Sequence, residues 1–216
     1  MKIFKIMVLL LFFISNLYSN QQKKLAYIVS DINIPFWQII SKGIKDKSNE
    51  LGYEIHIYSS NNLKKNELEN LASAISLKID GLIISPINSS TAATLLEIAK
   101  INNIPVVIAD IGSNSKDYVS FISSDNKKGA YELGKILAKH MKNLSWNKEG
   151  TVGIISIPQK RTNGKDRTLG FIQALDEESI KVSGFYQQVD FSYEETYNYS
   201  KKLIDENKNL RAIWLQ

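Results

Sequence analysis

Short apolar runs alternate with stretches of helical periodicity along nearly the whole chain, and this rhythm limits the fold more than any other feature. Residues 25–30, 53–58, 81–85, 105–109, 118–123, 151–157, 181–188 and 210–215 read as strands. Between them, residues 36–51, 64–78, 91–101, 125–141 and 166–175 carry apolar side chains at helical intervals. Leu68, Leu71, Ala72, Ile75 and Ile79 are spaced in this way, as are Ala130, Leu133, Leu137 and Met141, which are expected to face inward. Gly52 is placed to cap the first helix. Ser192 and Glu195 form a capping box for a last helix reaching about Glu206. Residues 143–150 form a polar connector, after which the rhythm resumes. Repeated nearly continuous apolar strands separated by amphipathic helices predict an α/β fold of parallel sheets covered on both faces. At 216 residues, with 44% hydrophobic and 23% charged content, the chain can bury a full core as one large domain or two small ones.

The first nineteen residues have a different character. Lys2 and Lys5 precede an unbroken apolar run at 6–14 and a polar end at 16–19, the pattern of a signal peptide. Nine apolar residues fall short of the roughly 20 that a membrane-spanning helix needs. Export with cleavage after Ser19 is therefore expected, with an uncleaved anchor as the competing reading. The chain has no cysteine, so an exported form must hold its fold without disulfides. Without Lys2 and Lys5 the 27 basic residues fall to 25 against 22 acidic ones, and the remaining lysines are scattered. No basic stripe forms, and nucleic acid is not an expected partner.

The usual signatures of catalysis and cofactor binding are missing. There is no GxGxxG fingerprint, and Gly164-Lys165 lacks the upstream glycine of a phosphate-binding loop. His56 and His140 are far apart and have no metal-ligand spacing. No serine sits in a nucleophile elbow. No enzyme activity, metal or cofactor is expected.

What stands out is the stretch 31–37, Asp-Ile-Asn-Ile-Pro-Phe-Trp, between the first strand and the first helix. In an open parallel sheet, ligands bind at the carboxyl ends of the strands, where this loop must lie. Phe36 and Trp37 beside Asp31 and Asn33 offer apolar faces next to hydrogen-bonding groups, which suits a sugar. The competing reading is that both aromatics merely begin the buried stripe of the helix.

Five motifs, in order, resemble the periplasmic sugar-binding proteins of the ribose/galactose type, whose core also occurs in bacterial repressors. They are Asn33-Ile34-Pro35-Phe36-Trp37, Asp80-Gly81-Leu82-Ile83-Ile84-Ser85-Pro86, Asn103-Ile104-Pro105-Val106-Val107 leading to Asp110, Ser124-Asp125-Asn126, and Arg167-Thr168-Leu169-Gly170-Phe171. The resemblance runs from about Lys24 to Gln216. It implies two doubly wound α/β domains, 24–124 and 125–216, joined by a hinge and closing on a ligand. It places ligand-binding aromatics at Phe36, Trp37 and Phe191, polar groups at Asn33, Ser124 and Asn126, a hydroxyl-clamping carboxylate at Asp110 and a second-domain arginine at Arg167. The chain departs from the family's sugar binders at three positions. Ile111 stands where an arginine often follows the aspartate, Ile34 where an asparagine is common, and Ser85 replaces another. Gln216 falls where the family continues toward a hinge-proximal asparagine and aspartate, so the last strands of both domains are expected to be missing from this chain. The function so implied is a periplasmic receptor that hands a monosaccharide to an ABC-type importer. The alternative is the ligand-sensing module of a transmembrane kinase or cyclase.

Overall fold

The computed structural model describes residues 22–189 and 191–216; the leader segment lies outside them. The chain builds β1 (Lys24–Val29), α1 (Pro35–Glu50), β2 (Glu54–Ser59), α2 (Lys64–Ser76), β3 (Gly81–Ser85), α3 (Ser89–Ile101), β4 (Val106–Ala109) and β5 (Ser120–Ile122). It continues with α4 (Asn126–Asn143), β6 (Thr151–Ser156), α5 (Thr162–Asp176), β7 (Lys181–Gln187), α6 (Tyr193–Glu206) and β8 (Leu210–Leu215). All strand pairs are parallel. They form two sheets, one of order β2-β1-β3-β4-β5 and one of order β7-β6-β8. The backbone passes from the first to the second between β5 and α4.

The strand period of two explains the core of the first unit. Along β1, Ala26 and Ile28 enter a cluster with Leu71, Leu95, Leu96 and Ile108, while Tyr27 and Val29 enter another with Trp37 and Ile111. A strand buried on both faces has to be apolar where it is buried, as this one is from Ala26 to Val29. The second unit is built around the pair α4 and α5. A Cβ added at Gly170 would come within 2.0 Å of the Lys127 carbonyl oxygen, and one at Gly134 within 2.7 Å of the Ala174 Cβ. Glycine at both places lets the helix backbones approach. Phe171 then stacks on Trp214 of β8, ring centroids 3.9 Å apart.

Three details differ from the expected pattern. Leu133 is 46% exposed rather than inward, because the packed stripe of α4 runs through Ala130, Gly134, Ala138 and Met141. On α2 the buried face is Glu67, Leu71 and Ala74, which leaves Leu68 and Ala72 outside. Helix α5 begins at Thr162, four residues before the expected start at Asp166. Its first turn, Thr-Asn-Gly, consists of weak helix formers without a side-chain cap, so neither propensity nor capping marks it.

Candidate functional site

In each sheet the strand order reverses direction beside the first strand, at β1/β3 and at β6/β8. Loops leaving such a point splay apart and open a crevice at the carboxyl ends of the strands. The loops after β1, β2, β3 and β4 come from the first unit. Facing them are the loop after β6 with the start of α5, and the loop after β7.

Asp31 organises the first wall. Its Oδ1 accepts from the backbone N–H and the Nδ2 of Asn33, and its Oδ2 accepts from Asn62 Nδ2 at 3.2 Å, joining the loops after β1 and β2. Phe36 is 48% exposed, whereas Trp37 is only 3% exposed and packs with Tyr27, Val29 and Ile111. The two rings meet edge to face at 4.8 Å. Trp37 thus sits in the core, and Phe36 is the aromatic with free surface. Ile111, at the position where the resemblance expects an arginine, is fully buried in that same apolar cluster, which has no room for a charge.

Asp110 directly follows β4 in the left-handed backbone region, φ 68°, which an aspartate tolerates better than most residues. Its Oδ2 accepts from Asn163 Nδ2 of the opposite unit at 2.7 Å. Burial raises the Asp110 pKa, while Arg167, Arg161 and the Asn163 bond oppose the rise. Arg167 donates through Nε to Asn126 Oδ1 at 2.7 Å, and Asn126 Nδ2 donates to the Ser124 carbonyl at 3.0 Å. These three line a groove of about 300 Å³ together with Leu133, Trp214 and Gln216. Leu133 therefore faces this groove rather than the core. Larger hollows of about 520 and 530 Å³ surround Lys100 and Asp117 near the amino ends of the strands, away from every one of these groups.

Phe191 comes from the loop after β7, φ 55°, and its N–H donates to Glu195 Oε2 at 3.1 Å. Its ring lies 4.9 Å from the guanidinium carbon of Arg161, a cation–π contact. Arg161 is a residue that sequence reasoning missed. It is 6% exposed, donates through Nε to the Ile87 carbonyl at 3.0 Å and through Nη2 to Asn62 Oδ1 at 3.0 Å. Burial pulls its pKa down, and the carboxylates of Asp110, Glu67 and Asp31 counter that pull. Asn62, Ser89, Thr162 and Asn163 were missed with it. Thr162 and Ser89 hydroxyls lie 2.6 Å apart, and the Thr162 N–H donates to Ser89 Oγ at 3.1 Å. The available signal was positional, since each of these residues follows the carboxyl end of a strand. Among the described residues no cluster of three or more His, Cys, Asp or Glu could hold a metal.

The candidate residues thus form two groups. Asp110, Arg167, Asn126 and Ser124 gather toward the hinge. Asn33, Phe36 and Phe191 stand around the loops after β1 and β7. Together they can offer hydrogen bonds of both polarities and aromatic faces to a small polyhydroxylated molecule.

Comparison with known proteins agrees with this architecture. The ribose import binding protein RbsB of Haemophilus influenzae is 28% identical over 200 residues, covering 92% of this chain and 66% of the relative. The transcriptional repressor PurR of Edwardsiella ictaluri is 23% identical, covering 91% of this chain and 55% of its own. This chain therefore spans just under two thirds of the first relative's length and little more than half of the second's. A carbohydrate transporter solute-binding protein from Agrobacterium radiobacter, solved in complex with D-arabinose, superposes with a TM-score of 0.83 at 22% identity, covering 91% of this chain and 68% of that one. The family described as periplasmic binding protein domain matches residues 25–216, and the chain belongs to that family.

Proposed function

We propose that this protein is an exported receptor that closes its two units on a monosaccharide and presents it to a membrane importer of the ABC type. The observation that carries this reading is the meeting of Asp110 from the first unit with Arg167 and Asn163 from the second. The Asp110 carboxylate has one oxygen held by Asn163 and lies within the electrostatic reach of Arg167. A carboxylate so placed accepts hydroxyl protons, and the guanidinium donates to hydroxyl oxygens; such charge-assisted bonds are stronger than neutral ones. Phe36 supplies the apolar face, with Asn33 beside it. Phe191, Ser124 and Asn126 complete the set. The relatives named for ribose import support a pentose or a similar small sugar as ligand. Ile34, Ile111 and Ser85 reduce the number of polar anchors and favour a ligand with fewer hydroxyls to satisfy. The leader at 1–19 supports export to the periplasm.

A thermal-shift series with pentoses and hexoses tests the proposal. A sugar present at a hundred times its dissociation constant adds about 2.7 kcal/mol to stability. One or more monosaccharides are expected to raise the melting temperature, and Asp110→Ala is expected to abolish the shift while the protein stays folded. Absence of any shift across the series would refute the reading, as would a shift that Asp110→Ala leaves intact.

A further inference from the structure

The two units hold each other through bonds that involve no ligand. Six of them come from one short stretch of the second unit, residues 160–163. The Lys160 carbonyl accepts from the Ser89 N–H at 3.2 Å, Thr162 pairs with Ser89, and Asn163 donates to Asp110. Arg161 reaches furthest, with its guanidinium bonded to the Ile87 carbonyl and to Asn62 of the first unit. Glu67 is 1% exposed on the first unit, accepts from the Ile87 N–H at 2.8 Å and lies in the field of Arg161. Asn62 in turn donates to Asp31, which holds Asn33. An unbroken chain of polar contacts therefore runs from the second unit through Arg161, Asn62 and Asp31 to Asn33, in the loop that leads into α1 and Phe36.

We propose that Arg161 is an interdomain latch, a positioning residue that holds the cleft closed in the absence of ligand and sets the wall carrying Asn33 and Phe36. A buried guanidinium satisfied by two acceptors and an aromatic face is stable only where those groups converge. The Ile87 carbonyl and Asn62 belong to one unit, and Phe191 to the other. Opening the cleft separates them and removes the acceptors from Arg161. The latch thereby adds to the closed population before any ligand arrives. Apparent affinity scales with the fraction of molecules in the binding-competent state, so the latch raises affinity without touching the ligand. The inference does not depend on the ligand being a sugar, because it concerns the unliganded protein.

The absence of cysteine makes the test direct. Lys65→Cys on α2 and Lys201→Cys on α6, both at exposed positions, allow spin labels to be placed on each unit of the 216-residue protein. Distance distributions are measured without ligand in this background and in Arg161→Ala, Arg161→Lys and Asn62→Gly. Glycine is chosen at position 62 because Asn62 has φ 57°, which glycine adopts freely while losing the acceptor. The background protein is expected to show a closed population. Arg161→Ala should lower the ratio of closed to open by about tenfold, as for loss of charge-assisted bonds. Arg161→Lys, which keeps the charge but lacks the planar fork, should fall between, and Asn62→Gly should shift the ratio in the same direction. A single open population in the background protein would overturn the latch, and so would an unchanged distribution in folded Arg161→Ala. If Arg161→Ala does not fold, Asn62→Gly decides: an unshifted distribution there overturns the proposal.

Discussion

In the first unit β1 is an interior strand of a five-stranded sheet and is buried on both faces, with separate apolar clusters above and below it. In the second unit β6 is the central strand of a sheet of three among the described residues, and one cluster, which includes Phe171 and Met141, fills the face beneath α4 and α5. The opposite face rests largely on one side chain, Leu203 of α6, which lies against Gly153 and Gly184. The outer strands of the second unit, β7 and β8, are half-buried or exposed along their lengths. The first unit is thus held by its sheet, and the second by a close pair of helices. Substitutions should separate the two, because each unit depends on a different kind of contact.

Removing Trp37 should produce the largest effect. Truncating a buried aromatic costs on the order of 3–5 kcal/mol, so Trp37→Ala should melt far below the parent, with hydrogen exchange accelerated first in β1 peptides. Phe36→Ala, one residue away and half exposed, should leave the melting temperature nearly unchanged. Equal losses at the two positions would break the distinction between Trp37 as a core aromatic and Phe36 as a cleft aromatic.

Gly170→Ala should come next and act on the other unit. The added methyl group would meet the Lys127 backbone, which has no rotamer by which to yield. Overpacking of this kind typically costs about 1–3 kcal/mol, occasionally more. Exchange should accelerate in α4, α5 and β6 while β1 remains protected. Loss of protection in β1 to the same degree would show that the two units unfold as one.

A smaller effect, of opposite sign in the two units, should appear on titration. Lys135 and then Lys142 hold the Glu178 carboxyl down at about 2, bridging α4 to the end of α5. A carboxyl lowered by folding contributes stability that is complete above its unfolded value near 4.5 and is lost as pH falls toward about 2. Glu67 behaves inversely, since burial raises its pKa; ionisation there opposes folding, and that opposition is relieved as pH falls through the raised value. Acidification below pH about 4.5 should therefore weaken the second unit relative to the first. Glu178→Gln should flatten the second unit's profile and Glu67→Gln that of the first, both read by exchange at several pH values. Because Glu178 is surface-lying, salt should shrink its share.

The smallest effect should come from the sheet edge. Phe121 on β5 is 40% exposed. Phe121→Lys should change stability by no more than about 0.5 kcal/mol while reducing self-association seen by light scattering, since a charge on an exposed edge discourages strand pairing. A marked loss of stability would mean that the Phe121 ring near Gly112 supports the first unit's core.

Much of this architecture was legible in the sequence. Each expected strand and helix is present, because the periods of two and 3.6 arise from local backbone geometry and need no tertiary information. The resemblance pointed to Asp110, Arg167 and Asn126, which the fold brings to the facing ends of strands and helices, and the loop rule pointed to the stretch 31–37. It could not tell Phe36 from Trp37. Both stand at the start of one helix, and which ring enters the core depends on Tyr27, Val29 and Ile111, which sequence pattern does not bring to the same place. The early start of α5 was hidden for a related reason. Thr162 and Asn163 are held in place by bonds to Ser89 and Asp110, and Gly164 donates to Asn163, so this turn does not rest on helix propensity. Arg161 is the clearest case. In the sequence it is one basic residue among 27. In the fold it lies between the Ile87 carbonyl, 74 positions before it, and Asn62, 99 positions before it. The order and type of the elements follow from interactions among near neighbours along the chain. Which polar groups meet across the cleft is set by long-range packing, because a hydrogen bond acts over about 3 Å and those separations close only when both sheets have formed.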